Sequence, residues 1–103
     1  MALKKCARYL TLAEMEGKMR LPQEAKQPTL ENIKNLLRGD YLKVGVTVHG
    51  HREIFWTKFV MMEGNNLVGR ISNDLHYSEL HGLFDEELIT FPADCLLAIM
   101  DNH

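Results

Sequence analysis

Five histidines in a chain of 103 residues are the side chains best suited to chemistry, because imidazole binds metal ions and exchanges protons near neutral pH. His49 and His51 stand two residues apart, so their rings project to the same side of an extended chain. His76 and His81 lie in a polar stretch, residues 74–87, which could fold back over the first pair and complete a zinc ligand set. No HExxH or related spacing occurs. The sequence therefore offers these four histidines as candidate ligands but disfavours a metal site.

Acid–base catalysis would need a carboxylate beside an imidazole in a pocket. The spacing offers His51 with Glu53 and His81 with Asp85, but such pairs arise by chance in a chain with 14 acidic residues and five histidines. No GxxxxGKS/T, GxGxxG or GxSxG motif occurs, which removes the simplest cases of nucleotide binding and hydrolase chemistry. We therefore expect a protein that is not an enzyme and that uses no cofactor.

The strongest candidates for a contact surface lie in and around the block Arg52-Glu53-Ile54-Phe55-Trp56, where charged and aromatic side chains stand together. Aromatic side chains and arginine dominate the energetics of protein interfaces. An aromatic residue in the middle strand of a small barrel is more often core than contact, so Trp56 is open to both interpretations. The predicted binding surface consists of Tyr41, Arg52, Glu53, Phe55, Trp56 and Asn73.

The elements that must position these side chains begin with an N-terminal segment, where apolar residues recur every three or four positions. This spacing predicts a helix over Ala2–Met19. Thr11 could instead cap a shorter helix, Leu12–Met19, because Glu14 stands three residues later in the capping-box position. Prolines then make the following residues, up to position 28, a polar connector.

A second helix is predicted to begin after Thr29, a good N-cap residue, and to end at Arg38-Gly39. Its expected buried stripe consists of Leu30, Ile33, Leu36 and Leu37.

The period of apolar residues then changes from that of a helix to that of a strand. Tyr41–Val48 alternates, with Leu42, Val44, Val46 and Val48 predicted to face inward. Residues 49–52 are predicted to form a turn. A second strand, Glu53–Met62, is apolar on both faces, so it must be covered twice, by a helix on the outside or by closure of the sheet into a barrel.

The rest of the chain is predicted to complete the sheet. Leu67–Asn73 is expected to be a third strand, residues 74–87 a long loop, and Leu88–Phe91 a closing strand. Pro92 can start a last helical turn, with Leu96, Leu97 and Met100 facing inward. The resulting fold class is α+β. It is one domain over residues 1–103, with an N-terminal helical segment and connector (1–28) followed by a helix and a β-barrel-like core (29–103). The core is a strongly bent antiparallel sheet or SH3-like barrel of four or five strands.

Composition argues against several function classes. The net charge is -2 with acids and bases interleaved, whereas a nucleic-acid binder normally shows a basic stripe. Cys6 and Cys95 have no metal-binding or redox spacing, so a reduced pair is expected. No signal-peptide pattern occurs, and nothing approaches the about 20 apolar residues of a membrane span. We expect a cytoplasmic protein without membrane contact.

Several short motifs of the chain resemble those of a bacterial domain family of unknown function, and the resemblance covers about residues 36–101. The shared features are a charged strand start, an R-E-x-F-W strand, a strand end of the form G-x-x-x-N followed by D or E, and a final F-P followed by an isoleucine and an acid. In this chain they are Gly39-Asp40-Tyr41-Leu42-Lys43-Val44-Gly45, Arg52-Glu53-Ile54-Phe55-Trp56, Gly64, Gly69 to Asn73-Asp74, Ile89-Thr90-Phe91-Pro92, Ile99 and Asp101. Family members usually have a Gly-Asp turn before the closing strand, where this chain has Asp85-Glu86-Glu87. The resemblance implies a small β-barrel-like scaffold and no reaction.

The function predicted from the sequence is that of a non-enzymatic protein-binding or regulatory module. The N-terminal amphipathic segment could form a homodimer or cover the outer face of the second strand. The alternative is a metal-binding or small-ligand-binding protein that uses the histidine turn and the 74–87 loop.

Overall fold

The computed structural model describes residues 3–102. Within this range the domain is mixed α+β and is dominated by one antiparallel sheet of six strands, with three short helices and one 3-10 turn. In chain order the elements are β1 (Ala7–Tyr9), α1 (Leu12–Met15), α2 (Leu30–Lys34), β2 (Tyr41–Val48), β3 (His51–Glu63), β4 (Asn66–Ile71), α3 (Ser78–His81), β5 (Leu88–Pro92), the 3-10 turn (Ala93–Cys95) and β6 (Ala98–Met100).

The sheet curls around its core in the strand order β1-β2-β3-β4-β5. Strand β6 also pairs with β2, so β2 has β3 along one edge and two partners along the other. On that second edge β6 lies beside residues 41–43 and β1 beside residues 46–48. The predicted bent antiparallel sheet is confirmed, but it has six strands where four or five were expected.

A two-residue turn connects β2 and β3 and sets their register. His49 and Gly50 have φ values of 49° and 79°, the left-handed backbone that hairpin turns of this length require. Val48 therefore pairs with His51, which is already part of β3. The four-residue turn predicted at residues 49–52 is wrong, because the chain turns in two residues.

The inner face of the sheet forms the main core. Leu42, Val44 and Val46 of β2 are fully buried, as the alternation predicted, and Phe55 of β3 is 2% exposed. Further buried members come from the later strands and the C-terminal turn: Phe59, Leu67, Ile71, Leu83, Ile89, Phe91, Cys95, Leu96 and Ile99.

The N-terminal segment covers one end of the outer face of the sheet. Leu10, Met15 and Leu97 form a second buried cluster, against which Ile54 of β3 packs. Gly45 permits this close approach, because a Cβ at that position would lie 2.7 Å from Cδ1 of Leu10. The prediction that the second strand needs a cover on its outer face is confirmed at this end.

The N-terminal segment begins with a strand, so the helix predicted over Ala2–Met19 is wrong. Ala2 itself lies outside the described residues. Residues Ala7–Tyr9 pair with the open edge of β2, and this pairing prevails over the helical spacing of the apolar residues. The alternative is confirmed in part. Thr11 and Glu14 form a complete capping box, and helix α1 ends at Met15.

Helix α2 begins where predicted, since the Thr29 hydroxyl accepts the N–H of Asn32, but it has only five residues. The buried stripe predicted for it is wrong at two positions, because Leu30 is 77% exposed and Leu37 is 58% exposed. A helix of this length buries little of its own surface, and only Ile33 and Leu36 pack against the core.

The C-terminal region contains the predicted helical turn after Pro92, and then strand β6, which the sequence pattern did not predict. The predicted loop at residues 74–87 contains the short helix α3. None of the helices in residues 3–102 is long and apolar enough to cross a membrane.

Candidate functional site

The uncovered part of the outer face carries aromatic and basic side chains together. The register places Tyr41 opposite Lys58, and Lys58 opposite Arg70, in one row across β2, β3 and β4. The next row pairs Lys43 with Trp56. We call these five side chains, Tyr41, Lys43, Trp56, Lys58 and Arg70, the outer patch.

The two rings of the outer patch are held in place by each other and by the lysines. The centroids of Tyr41 and Trp56 are 6.2 Å apart, with an interplanar angle of 71°. Nζ of Lys43 lies 4.5 Å from the Trp56 ring centroid, and Nζ of Lys58 lies 6.0 Å from that of Tyr41. Partial burial lowers the pKa of Lys43. The two lysines of the patch are therefore positioned by aromatic contacts.

Trp56 is half-buried on the outer face and does not belong to the buried core. Its neighbours in β3 explain this position, because Phe55 and Thr57 point inward while Trp56 points outward. Of the two interpretations of Trp56 that the sequence left open, the structure supports an outward-facing ring.

The charges of the outer patch are unbalanced. Lys58 and Arg70 stand directly opposite each other, an arrangement that destabilises a sheet when the charges are alike. One guanidinium nitrogen of Arg70 donates to the carbonyl of Glu86 at 2.7 Å, and the carbonyl brings no formal charge. The register surrounds this pair with uncharged residues at the nearest outward positions, namely Tyr41, Trp56, Val68 and Leu88.

The binding residues predicted from the sequence do not all reach this surface. Tyr41 and Trp56 do, and Arg52 is exposed at the hairpin end of β3. Phe55 was wrongly placed on the surface, because it faces the core.

Glu53 and Asn73 hold other parts of the chain in place. Glu53 was also wrongly predicted to be exposed, since only 9% of it is accessible. Oδ1 of Asn73 accepts the backbone N–H of Trp56 at 2.7 Å, which extends the pairing of β3 beyond the end of β4. The sequence prediction missed Lys43, Lys58 and Arg70, although strand alternation places Lys43 on the same face as Tyr41.

Glu53 lies at the centre of a closed hydrogen-bond network beneath the sheet. Its Oε1 accepts Nε2–H of His81 at 2.9 Å and the N–H of Tyr77 at 3.0 Å, and its Oε2 accepts the N–H of His76. Burial raises the pKa of the Glu53 carboxyl, but the hydrogen bonds from His81, His76 and Tyr77 outweigh burial and leave the pKa below its ordinary value. The network attaches the 74–87 loop to β3.

His81 is fully buried, and both of its ring nitrogens have partners. Nδ1 accepts the N–H of Leu83 at 3.1 Å, so Nε2 carries the proton that is donated to Glu53. The ring is therefore a neutral imidazole in one tautomer. With both nitrogens occupied, it can neither ligate a metal nor take a proton from a substrate without breaking the network.

The four candidate metal ligands are not brought together. The ring of His51 stacks on Tyr77 with centroids 4.7 Å apart, His49 occupies the hairpin turn, and His81 is enclosed. Among residues 3–102, no three or more His, Cys, Asp or Glu side chains are grouped so as to hold a metal ion.

A small cleft borders the outer patch on the side of the N-terminal segment. Its volume is about 230 Å³, and its lining includes Leu12, Met19, Leu21 and Leu97. The N–H of Leu97 donates to the carbonyl of Lys43 at 2.9 Å, which places the cleft next to the patch. A cleft of this size is below the usual range for small-molecule sites.

Comparison with known proteins finds no matching family model, no matching curated protein and no matching solved structure. The resemblance to a bacterial domain family therefore stays a prediction from the short motifs.

Proposed function

We propose that this protein is a non-enzymatic binding module and that the outer patch contacts a protein partner. The observation that supports this most is the position of Tyr41 and Trp56, two aromatic rings that lie on the outer face in contact with lysines. Tyr and Trp are enriched in protein interfaces and among the residues that contribute most to binding. The scaffold we propose is an SH3-like barrel, in which the curled sheet presents this face.

The alternative function, a metal or small-ligand site in the histidine turn and the 74–87 loop, has weaker support. The His81 nitrogens and the Glu53 oxygens already bond to each other and to loop N–H groups. Their arrangement favours a role in holding the loop, and it also weakens the case for acid–base catalysis by this pair.

The test of the proposal is the variant Trp56→Ala, compared with Phe84→Ala. Phe84 is 46% exposed and lies outside the outer patch, so its removal is a matched loss of an exposed ring. Because Trp56 is half-buried, we expect its loss to cost about 1–2 kcal/mol of unfolding free energy, and the variant to stay folded.

The measurement is capture of a stoichiometric protein partner by the wild type and by both variants, with folding checked by circular dichroism. The proposal predicts that Trp56→Ala loses the partner and that Phe84→Ala retains it. Equal retention by both variants would show that the partner is contacted elsewhere.

A further inference from the structure

The outer patch is positively charged on a protein of negative net charge. The whole chain carries a formal charge of -2, whereas the patch contains three cations and no carboxylate. Along β3, Glu53 faces the buried side of the sheet, and in the other direction the first acidic residue is Glu63, at the end of the strand opposite Asn66. The sign of this surface is therefore a local feature that the overall composition does not predict.

Two of the three acidic residues in the loop before β5 accept backbone N–H groups. A carboxylate oxygen of Asp85 accepts the N–H of Asn73 at 3.0 Å, and one of Glu87 accepts the N–H of Phe84 at 2.8 Å. Across β3 and β4, Lys58 and Arg70 stand directly opposite each other, an arrangement of like charges that costs stability.

The positions of the lysines favour one kind of anionic partner, a carboxylate, over another, a nucleic acid. Nucleic-acid bases bind aromatic side chains by stacking on an open ring face. Here one face of the Trp56 ring carries Nζ of Lys43 at 4.5 Å, and Tyr41 meets the ring edge-on. Such an arrangement presents ammonium groups above the rings and favours carboxylates over bases as partners.

Exposed apolar side chains flank the row of cations. Leu88 stands opposite Arg70 and is 44% exposed, and Met61 stands opposite Val68 and is 51% exposed. A partner that crosses the strands along this row would meet basic and aliphatic side chains in turn.

We propose that the outer patch binds an acidic polypeptide segment that also contains aliphatic residues, with its carboxylates paired to Lys43, Lys58 and Arg70. This inference rests on the proposed function and specifies the chemistry of the partner. Binding of such a segment relieves the repulsion between Lys58 and Arg70. It also gives the three cations on the outer face of the sheet carboxylate partners.

The probe is a synthetic peptide of repeated Glu-Asp-Leu units, compared with a Gln-Asn-Leu peptide and with oligo(dT), each titrated into the full chain by calorimetry. The test variant is Lys58→Glu. The matched control is Lys5→Glu, which makes the same charge change at an exposed residue before β1.

The expected result is binding of the acidic peptide alone, weakened by added salt and by about tenfold or more in Lys58→Glu, and unchanged in Lys5→Glu. Equal affinity of Lys58→Glu and wild type for the acidic peptide would overturn the inference. So would tighter binding of oligo(dT), no binding of the peptide at millimolar concentration, or self-association that replaces peptide binding in sedimentation experiments. A protein partner that depends on Trp56 but not on Lys58 would preserve the proposed function while removing the acidic partner.

Discussion

Two pairs of polar side chains that include residues of strand β3 differ in how completely their hydrogen-bonding groups and charges are satisfied within the chain. The pair of Glu53 and His81 is buried. Both carboxylate oxygens of Glu53 and both ring nitrogens of His81 have hydrogen-bond partners within the chain. Lys58 with Arg70 is exposed, and the register brings two like charges together. The first arrangement stabilises the fold, whereas the second opposes it, and we propose that a partner binds there.

The largest effect is expected from breaking the enclosed pair. Glu53→Ala leaves Nε2–H of His81 and two loop N–H groups without their acceptor in a buried site. We expect a loss of about 3 kcal/mol of unfolding free energy, measured by urea denaturation. A loss below about 1 kcal/mol would mean that the network contributes little to the fold.

A second prediction concerns the pH dependence of the same pair. The pKa of Glu53 is lowered in the folded protein, so its contribution to stability is complete above the ordinary value of 4.5 and disappears as pH falls through the folded-state value. Wild type should therefore lose more unfolding free energy between about pH 6 and about pH 3 than Glu53→Gln, which cannot titrate. Parallel pH profiles for the two proteins would contradict this account.

The smallest effect on stability is expected at the exposed pair of Lys58 and Arg70, and its sign is opposite to that expected at Glu53 and His81. Lys58→Glu replaces a like-charge pair with an opposite-charge pair across β3 and β4. Unfolding free energy should rise by about 0.5 kcal/mol, measured in low salt, and the gain should shrink as salt is added. A clear destabilisation would show that Lys58 already has a stabilising role in the free protein.

Local signals in the sequence predicted part of this fold. Strand alternation identified the inward side of β2, and the Thr11–Glu14 capping box placed the start of α1. The N-terminal strand was missed because its apolar spacing also suits a helix, and only the open edge of β2 decides between them. Strand β6 has no alternation of polar and apolar residues, so its sequence does not distinguish a strand from a helix. It is a strand because it pairs with β2.

The site was predicted less well than the fold, because it depends on register. A four-residue turn at residues 49–52 would have paired Val48 with Glu53, whereas the two-residue turn pairs Val48 with His51. The opposition of Lys58 and Arg70 follows only from the observed register of β3 and β4. The contact between Glu53 and His81 spans 28 residues and leaves no spacing motif in the sequence.

The most direct test of the central claim is an NMR titration of the labelled full chain with the Glu-Asp-Leu peptide, following backbone amides and the Trp56 indole N–H. We expect the largest chemical-shift changes at the residues of the outer patch, which are Tyr41, Lys43, Trp56, Lys58 and Arg70. The amide signals of Tyr77 and Leu83 should not shift. Changes centred on the histidine loop, or spread evenly over the chain, would contradict the central claim.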